Sequence, residues 1–232
     1  MLHFAGDLWR RLRMLLARCE LRGSRLRVRS VVAARDLAHG GLGPAEATRG
    51  VRCELLGRGP VVVGVDAPPS IARRFLGTLP WRRWVEAFQK AYPTAEIFKE
   101  KTTVKGKEPK RVTDVRHQTP LAPQNLRMYK QTWWAINGIF SPLAAEGFSV
   151  VPCMDVGDKL LMECCPASLL KRLQLYSEPY KGRTDGHRHR RGVILKTLKW
   201  LGTCSFARVL ISSQARRARW PPQQGEAPRG PG

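Results

Sequence analysis

Acidic residues are scarce in this chain. Its 232 residues hold 18 aspartates and glutamates against 41 lysines and arginines, a formal net charge of +23. A charge that large repels itself and attracts polyanions. Nucleic acid is the first partner class it admits, and an anionic membrane surface the second. Arginine outnumbers lysine 29 to 12, so genomic base composition is an alternative source of the excess. Cysteine is also sparse. Six are present, Cys164 and Cys165 are adjacent, and no C-x-x-C pair occurs. That excludes a disulfide framework and a zinc ribbon. It leaves free thiols, as expected of a cytoplasmic protein. No apolar run reaches the roughly 20 residues of a membrane span. The opening MLHFAGDLWRRLRMLLARCELRG is broken by Arg10, Arg11 and Arg13, which makes it a poor secretory signal. Asp7 and Glu20 count against a transit peptide. There is no internal repeat.

What is present is enough for a core. The hydrophobic fraction is 43%, and the length suits one domain. RLRVRSVVA, Arg25 to Ala33, alternates charged and apolar residues and predicts a half-exposed strand of the kind found at a sheet edge. Pro44 opens AEATRGVRCELLG, a helix closed by Gly57. VVVGVD, Val61 to Asp66, is short and β-branched, a strand buried on both faces. Pro68 and Pro69 stop it. PWRRWVEAFQKAYP predicts a helix with Trp81, Trp84, Val85 and Phe88 on one face. Thr102 to Pro123 has no apolar periodicity and reads as a long basic loop. Asn125 to Gly147 predicts a helix broken near Gly138. FSVVPCMD and KLLMECCP predict two short strands. ASLLKRLQL is helical, and TDGHRHRRGVILKTLKWLG is a helix capped near Thr184 or Asp185. The single domain spans 1–202. The remainder, 203–232, is rich in Pro, Gly, Gln and Arg and reads as a disordered basic tail.

Strand, helix and strand in that order make parallel sheets with crossover helices. In such sheets functional side chains gather at the carboxyl ends of the strands. Asp66 and Glu163 both end predicted strands and are soon followed by proline. On one sheet they would face one edge, and hard oxygen ligands there suit Mg²⁺ or Mn²⁺. Metals held that way hydrolyse phosphodiesters. A strand-end aspartate is equally a turn former or a helix cap.

Five motifs occur in order. They are GVDAP; R-x-T-D (Arg111, Thr113, Asp114); N-x-x-x-Y-x-x-T (Asn125, Tyr129, Thr132); E-x-x-P (Glu163, Pro166) with L-x-x-L and Y-K-G after it; and R-x-x-I-L (Arg191, Ile194, Leu195). Together, from about Arg25 to Leu201, they resemble the family catalogued as domain of unknown function 429. Its members are regarded as predicted nucleases with a ribonuclease H-like fold. The resemblance implies acidic metal ligands at Asp66 and Glu163. It implies that Arg111, Asp114, Asn125 and Lys181 line the same cleft, touching phosphate or positioning the acids. The family pattern opens on a strand ending in Gly-x-Asp. Here the aspartate's place is held by His3 or missing, with Asp7 a weak substitute. The family's closing Asp-Ala helix has no counterpart, since the last acid after Asp185 is Glu226. Pro69 replaces a larger apolar residue.

The remaining candidates have plainer readings. His187 and His189 are two apart and share no helix face. His117 lies in the basic loop, within reach of phosphate. Trp133 and Trp134 are core residues or base-stacking platforms. Cys164 has no histidine base beside it and reads as a buried thiol. The expectation is therefore an α/β protein, a ribonuclease H-like mixed sheet flanked by helices with a disordered basic C-terminal tail. The resemblance implies a metal-dependent nuclease, a hydrolase of nucleic acid whose terminal acidic ligands look absent. The alternatives are a noncatalytic nucleic-acid-binding protein on the same scaffold and an enzyme handling phosphorylated small molecules.

Overall fold

A computed structural model describes residues 2–3, 14–23, 25–176 and 179–204. Asp7 and the tail from 205 onward lie outside the described residues. The chain divides into two compact units, residues 1–19 with 28–179, and residues 20–27 with 180–232. The first carries most of the sheet and eight helices; the second carries one long helix.

The architecture is mixed α/β. A six-stranded sheet is built from β1 (Leu2–His3), β2 (Leu15–Arg22), β3 (Arg25–Ala33), β4 (Val61–Asp66), β5 (Ser149–Val151) and β6 (Lys159–Glu163). Their spatial order is β3-β2-β1-β4-β6-β5. β1 runs antiparallel to β2 and parallel to β4. β4 pairs parallel with β6, and β6 with β5. The predicted edge strand is β3, at one end of the order. Its alternation of arginine with small apolar residues suits a strand with little to cover it.

Parallel steps need crossovers; helices supply those into β4 and β5, while β5 reaches β6 through the helix-free segment 152–158. α1 (Pro44–Leu56) links β3 to β4, which have two strands, β2 and β1, between them in the sheet. Pro44 sits in its first turn, and Glu46 accepts from the backbone N–H of the cap residue Gly43 at 2.9 Å. Between β4 and β5 lie α2 (Arg73–Leu76), α3 (Trp81–Ala91), α4 (Ala95–Thr102), α5 (Val112–Arg116), α6 (Tyr129–Ala135) and α7 (Ser141–Ala145). α6 runs into α7 through a π-helical turn, Ile136–Phe140. This is the break expected near Gly138. A side chain there would meet Thr48 of α1, its Cβ standing 2.6 Å from Oγ1. Glycine therefore lets the two helices touch. α8 (Pro166–Arg172) follows β6, and α9 (Asp185–Cys204) belongs to the second unit. Thr184 caps α9, its Oγ1 accepting from the His187 N–H at 3.3 Å.

The core of the first unit gathers Val63 and Val65 of β4, Trp84, Val85 and Phe88 of α3, and the apolar face from Ile136 to Leu143. The four residues predicted on one face of α3 are all buried. One expectation needs correction. β4 is not buried on both faces, because Val62 is 62% exposed while Val65 is fully buried. The Val63–Val65 face is the one that joins the core. On the other face Gly64 makes room for Cys164, whose Sγ lies 2.3 Å from where a Cβ would stand. Among the described residues no helix is long and apolar enough to cross a membrane.

Candidate functional site at the carboxyl edge of the sheet

β4 and β6 lie side by side in register, Val65 opposite Glu163, with Asp66 one residue further on. The two predicted acids thus end adjacent parallel strands on one edge. His3 of β1 pairs in register with Asp66 from the other side. The β4 end is fixed by its backbone. The Asp66 carbonyl accepts from Gln131 Nε2 of α6, and the Pro69 carbonyl accepts from Trp81 Nε1 at 2.9 Å. Proline at 68 and 69 carries no N–H to continue the ladder.

Above this edge stands α5. Arg111 is its N-cap residue and Asp114 its third. Asp114 Oδ2 accepts from the Arg111 backbone N–H at 2.9 Å and from Nε at 3.0 Å, and Oδ1 accepts from Nη2 at 2.6 Å. The same guanidinium reaches β6. Nη1 donates to Glu163 Oε2 and Nη2 to Oε1, both at 2.7 Å. One arginine therefore clasps two carboxylates 49 residues apart in the chain. Its planar fork matches a carboxylate in a way lysine does not. Arg111 is 8% exposed and Asp114 1%. Burial works against the Arg111 charge, but the hydrogen bonds it donates to Asp114 and Glu163 outweigh it and hold the pKa above the usual arginine value.

The other predicted residues are placed differently. Asn125 donates through Nδ2 to Glu108 Oε2 and accepts from the Arg127 N–H at 3.0 Å, so it shapes a turn. Lys181 belongs to the second unit, with its Nζ 5.9 Å from the Tyr180 ring centroid. Arg111, Asp114 and Glu163 are brought together, with Asp66 on the neighbouring strand.

Three thiols belong to the same region. Burial pushes the Cys153 thiol up to about 11, with Arg111, Glu163 and Ser70 as its polar neighbours. Burial likewise pushes Cys164 up to about 11, helped by the charges of Asp66 and Glu163. Cys165 contacts the Ser168 hydroxyl at 3.2 Å. A thiol that keeps its proton to high pH is a poor nucleophile. The five cysteines with described side chains are free.

The residues present do not fit a resident Mg²⁺ or Mn²⁺. Both Glu163 oxygens face a buried guanidinium, and a cation there would stand beside like charge. Among the described residues no three of His, Cys, Asp or Glu gather as a metal-holding group. A concavity of about 440 Å³ lies elsewhere, between α2 and α3, lined by Phe75, Leu79, Trp84 and Tyr92 with Arg74 as its one charged side chain. It lacks the convergent polar groups that chemistry needs, so the sheet edge is the better candidate.

Sequence reasoning did not find Gln131 or the join between Arg111 and Glu163. Gln131 lies inside the N-x-x-x-Y-x-x-T motif, but nothing in its spacing announces the Asp66 carbonyl. Trp133 and Trp134 meet edge to face at 4.9 Å, and Trp133 donates to the Tyr92 carbonyl at 2.8 Å while packing against the core.

The fold and site define a mixed α/β protein with an arginine-clasped carboxylate edge. In comparisons with known proteins, no family model, curated protein or solved structure matches the chain.

Proposed function

We propose that the protein binds nucleic acid through the phosphate backbone, on a ribonuclease H-like scaffold, without cutting it. The observation that carries this reading is the Arg111 clasp. It ties a basic segment, Lys99 to Arg116, whose Lys101, Lys105, Lys107, Lys110 and Arg116 are exposed, to the carboxyl edge of the sheet while closing Glu163 to a cation. The net charge of +23 supplies attraction without base reading. The resemblance to domain of unknown function 429 and a sheet mixing antiparallel β1–β2 with parallel β1–β4 pairing support the scaffold. Free thiols suit a cytoplasmic setting.

A second reading is the metal-dependent nuclease action that the resemblance implies, which would require Glu163 to leave Arg111 before Mg²⁺ or Mn²⁺ could bind. What favours it is the placing of Asp66 and Glu163 on adjacent strand ends. One experiment separates the two. Fluorescence anisotropy with a labelled oligonucleotide at low salt should give binding that weakens steeply as salt rises. The same oligonucleotide incubated with Mg²⁺ or Mn²⁺ should stay intact. Absence of binding at low salt refutes the proposal. Metal-dependent cleavage that disappears in Asp66→Asn replaces it with the second reading.

A further inference from the structure

The predicted phosphate contacts are largely engaged inside the protein. Arg111 directs its guanidinium at Asp114 and Glu163, and Asn125 bonds Glu108 and the Arg127 N–H. The cations that face solvent near the sheet edge come from other positions, and two of them converge. Lys110, just before α5, donates through Nζ to the Thr119 carbonyl at 2.9 Å. Lys171, in α8, donates through Nζ to the Gln118 carbonyl at 3.4 Å. The acceptors belong to consecutive residues, whose Cα atoms are about 3.8 Å apart. Two exposed ammonium groups, 61 residues apart in the chain, are therefore anchored to two successive peptide units.

We infer that Lys110 and Lys171 form the phosphate-contacting centre of the nucleic-acid surface. This rests on the binding reading above and names its residues. Both charges are anchored to one two-residue stretch of backbone, and a phosphate reaching that stretch is attracted by each of them. Each ammonium has three donors and gives one to a carbonyl, so each keeps two for phosphate oxygens. The surroundings are positive. Arg116 and His117 are exposed on the last turn of α5, and Arg172 follows Lys171. The acids of the segment from 105 to 119 point elsewhere: Glu108 accepts from Asn125, and Asp114 is buried under Arg111. α8 carries no acid.

The carbonyls that collect the lysines are themselves well placed. Gln118 has φ +51°, and the turn is closed by Gln118 N–H to the Val115 carbonyl at 3.1 Å and Thr119 N–H to the Asp114 carbonyl at 2.8 Å. Asp114 is locked by Arg111, and Arg111 by Glu163. The clasp is thus a positioning device for the lysine pair. Nucleic acid is favoured over an anionic membrane because α5 has only five residues and two exposed valines, Val112 and Val115. Helices that enter a bilayer present a much larger apolar face.

The test compares two full-length double variants that lose equal charge. Lys110→Gln with Lys171→Gln removes the pair. Arg73→Gln with Lys90→Gln removes two exposed cations of α2 and α3. Affinity for a labelled single-stranded oligonucleotide is measured across a salt series. The lysine-pair variant should weaken binding about tenfold and lower the slope of log affinity against log salt by about 1. The control should change the slope far less. Equal losses in the two variants overturn the inference and leave the binding reading standing. No binding by the unaltered protein overturns the binding reading itself. Phosphatidylserine vesicles bound by the unaltered protein and released by the lysine-pair variant, with no oligonucleotide binding, would make the partner a membrane and overturn the assignment.

Discussion

Arg111 has more at stake than any other side chain at the sheet edge. Asp114 is almost wholly buried, and its charge is matched by this one guanidinium and its own backbone N–H. Truncation strands a carboxylate away from water, a loss that typically costs about 3–5 kcal/mol. Arg111→Ala should lower stability by about that amount in urea denaturation, and Arg111→Lys should recover only part, since an ammonium cannot fork onto two carboxylates. A loss below about 1 kcal/mol would class the clasp with screened surface pairs. The thiols give a second measurement. Cys153 and Cys164 keep their protons from an ordinary value of 9.0 up to about 11. Alkylation of both should stay slow at pH 8, while exposed Cys19 and Cys53 react first. Peptide mapping after a timed iodoacetamide pulse would check the order, and equal rates would contradict the burial. The sign for stability follows from proton binding. Between pH 9 and about 11 the folded thiols hold protons that the unfolded ones release, so stability falls as pH rises through that window.

Secondary elements were legible where periodicity was strong. α3 follows from its apolar stripe, β4 from its β-branched run, and α1 from its proline and glycine ends. The same reasoning passed over α4 and α5 because short, charged helices have no stripe to see. α5 exists because Asp114 caps it and Arg111 fastens it to β6, a contact that joins residues 52 apart. Strand-end acids could be read from the sequence, but their partner could not, since an arginine in a basic loop looks like any other cation. Gly64 is a similar case. Its reason lies just past the end of the neighbouring strand β6, where Cys164 Sγ fills the missing side-chain space. Gly64→Ala should therefore destabilise by about 1–3 kcal/mol through overpacking. Cys164→Ala removes the obstructing sulfur, because its Cβ stands 3.8 Å away, an ordinary contact. The double variant should be more stable than the sum of the two single losses predicts, read as a coupling energy from a denaturation cycle. Additivity would mean that the sulfur turns aside freely.

At the scale of the whole molecule the charge dominates. Forty-one cations against 18 acids cannot all be paired inside the protein, and those left over meet solvent or an anion. Phosphate contacts of this kind fix a protein on a nucleic-acid chain but read no bases. Affinity should therefore vary little among oligonucleotides of equal length and different sequence, while log affinity should fall linearly with log salt. Each phosphate neutralised contributes about 0.9 to that slope on duplex DNA and about 0.7 on a single strand, so comparing the two slopes counts the contacts. Equal counts on both forms would mean that the surface follows the backbone alone. A count that rises on the single strand would mean that the strand settles more deeply along the lysine pair. Sequence preference of more than about tenfold, equivalent to a good base contact of 1–3 kcal/mol, would contradict a backbone-only mode. It would point instead to side chains reaching base edges from the same surface.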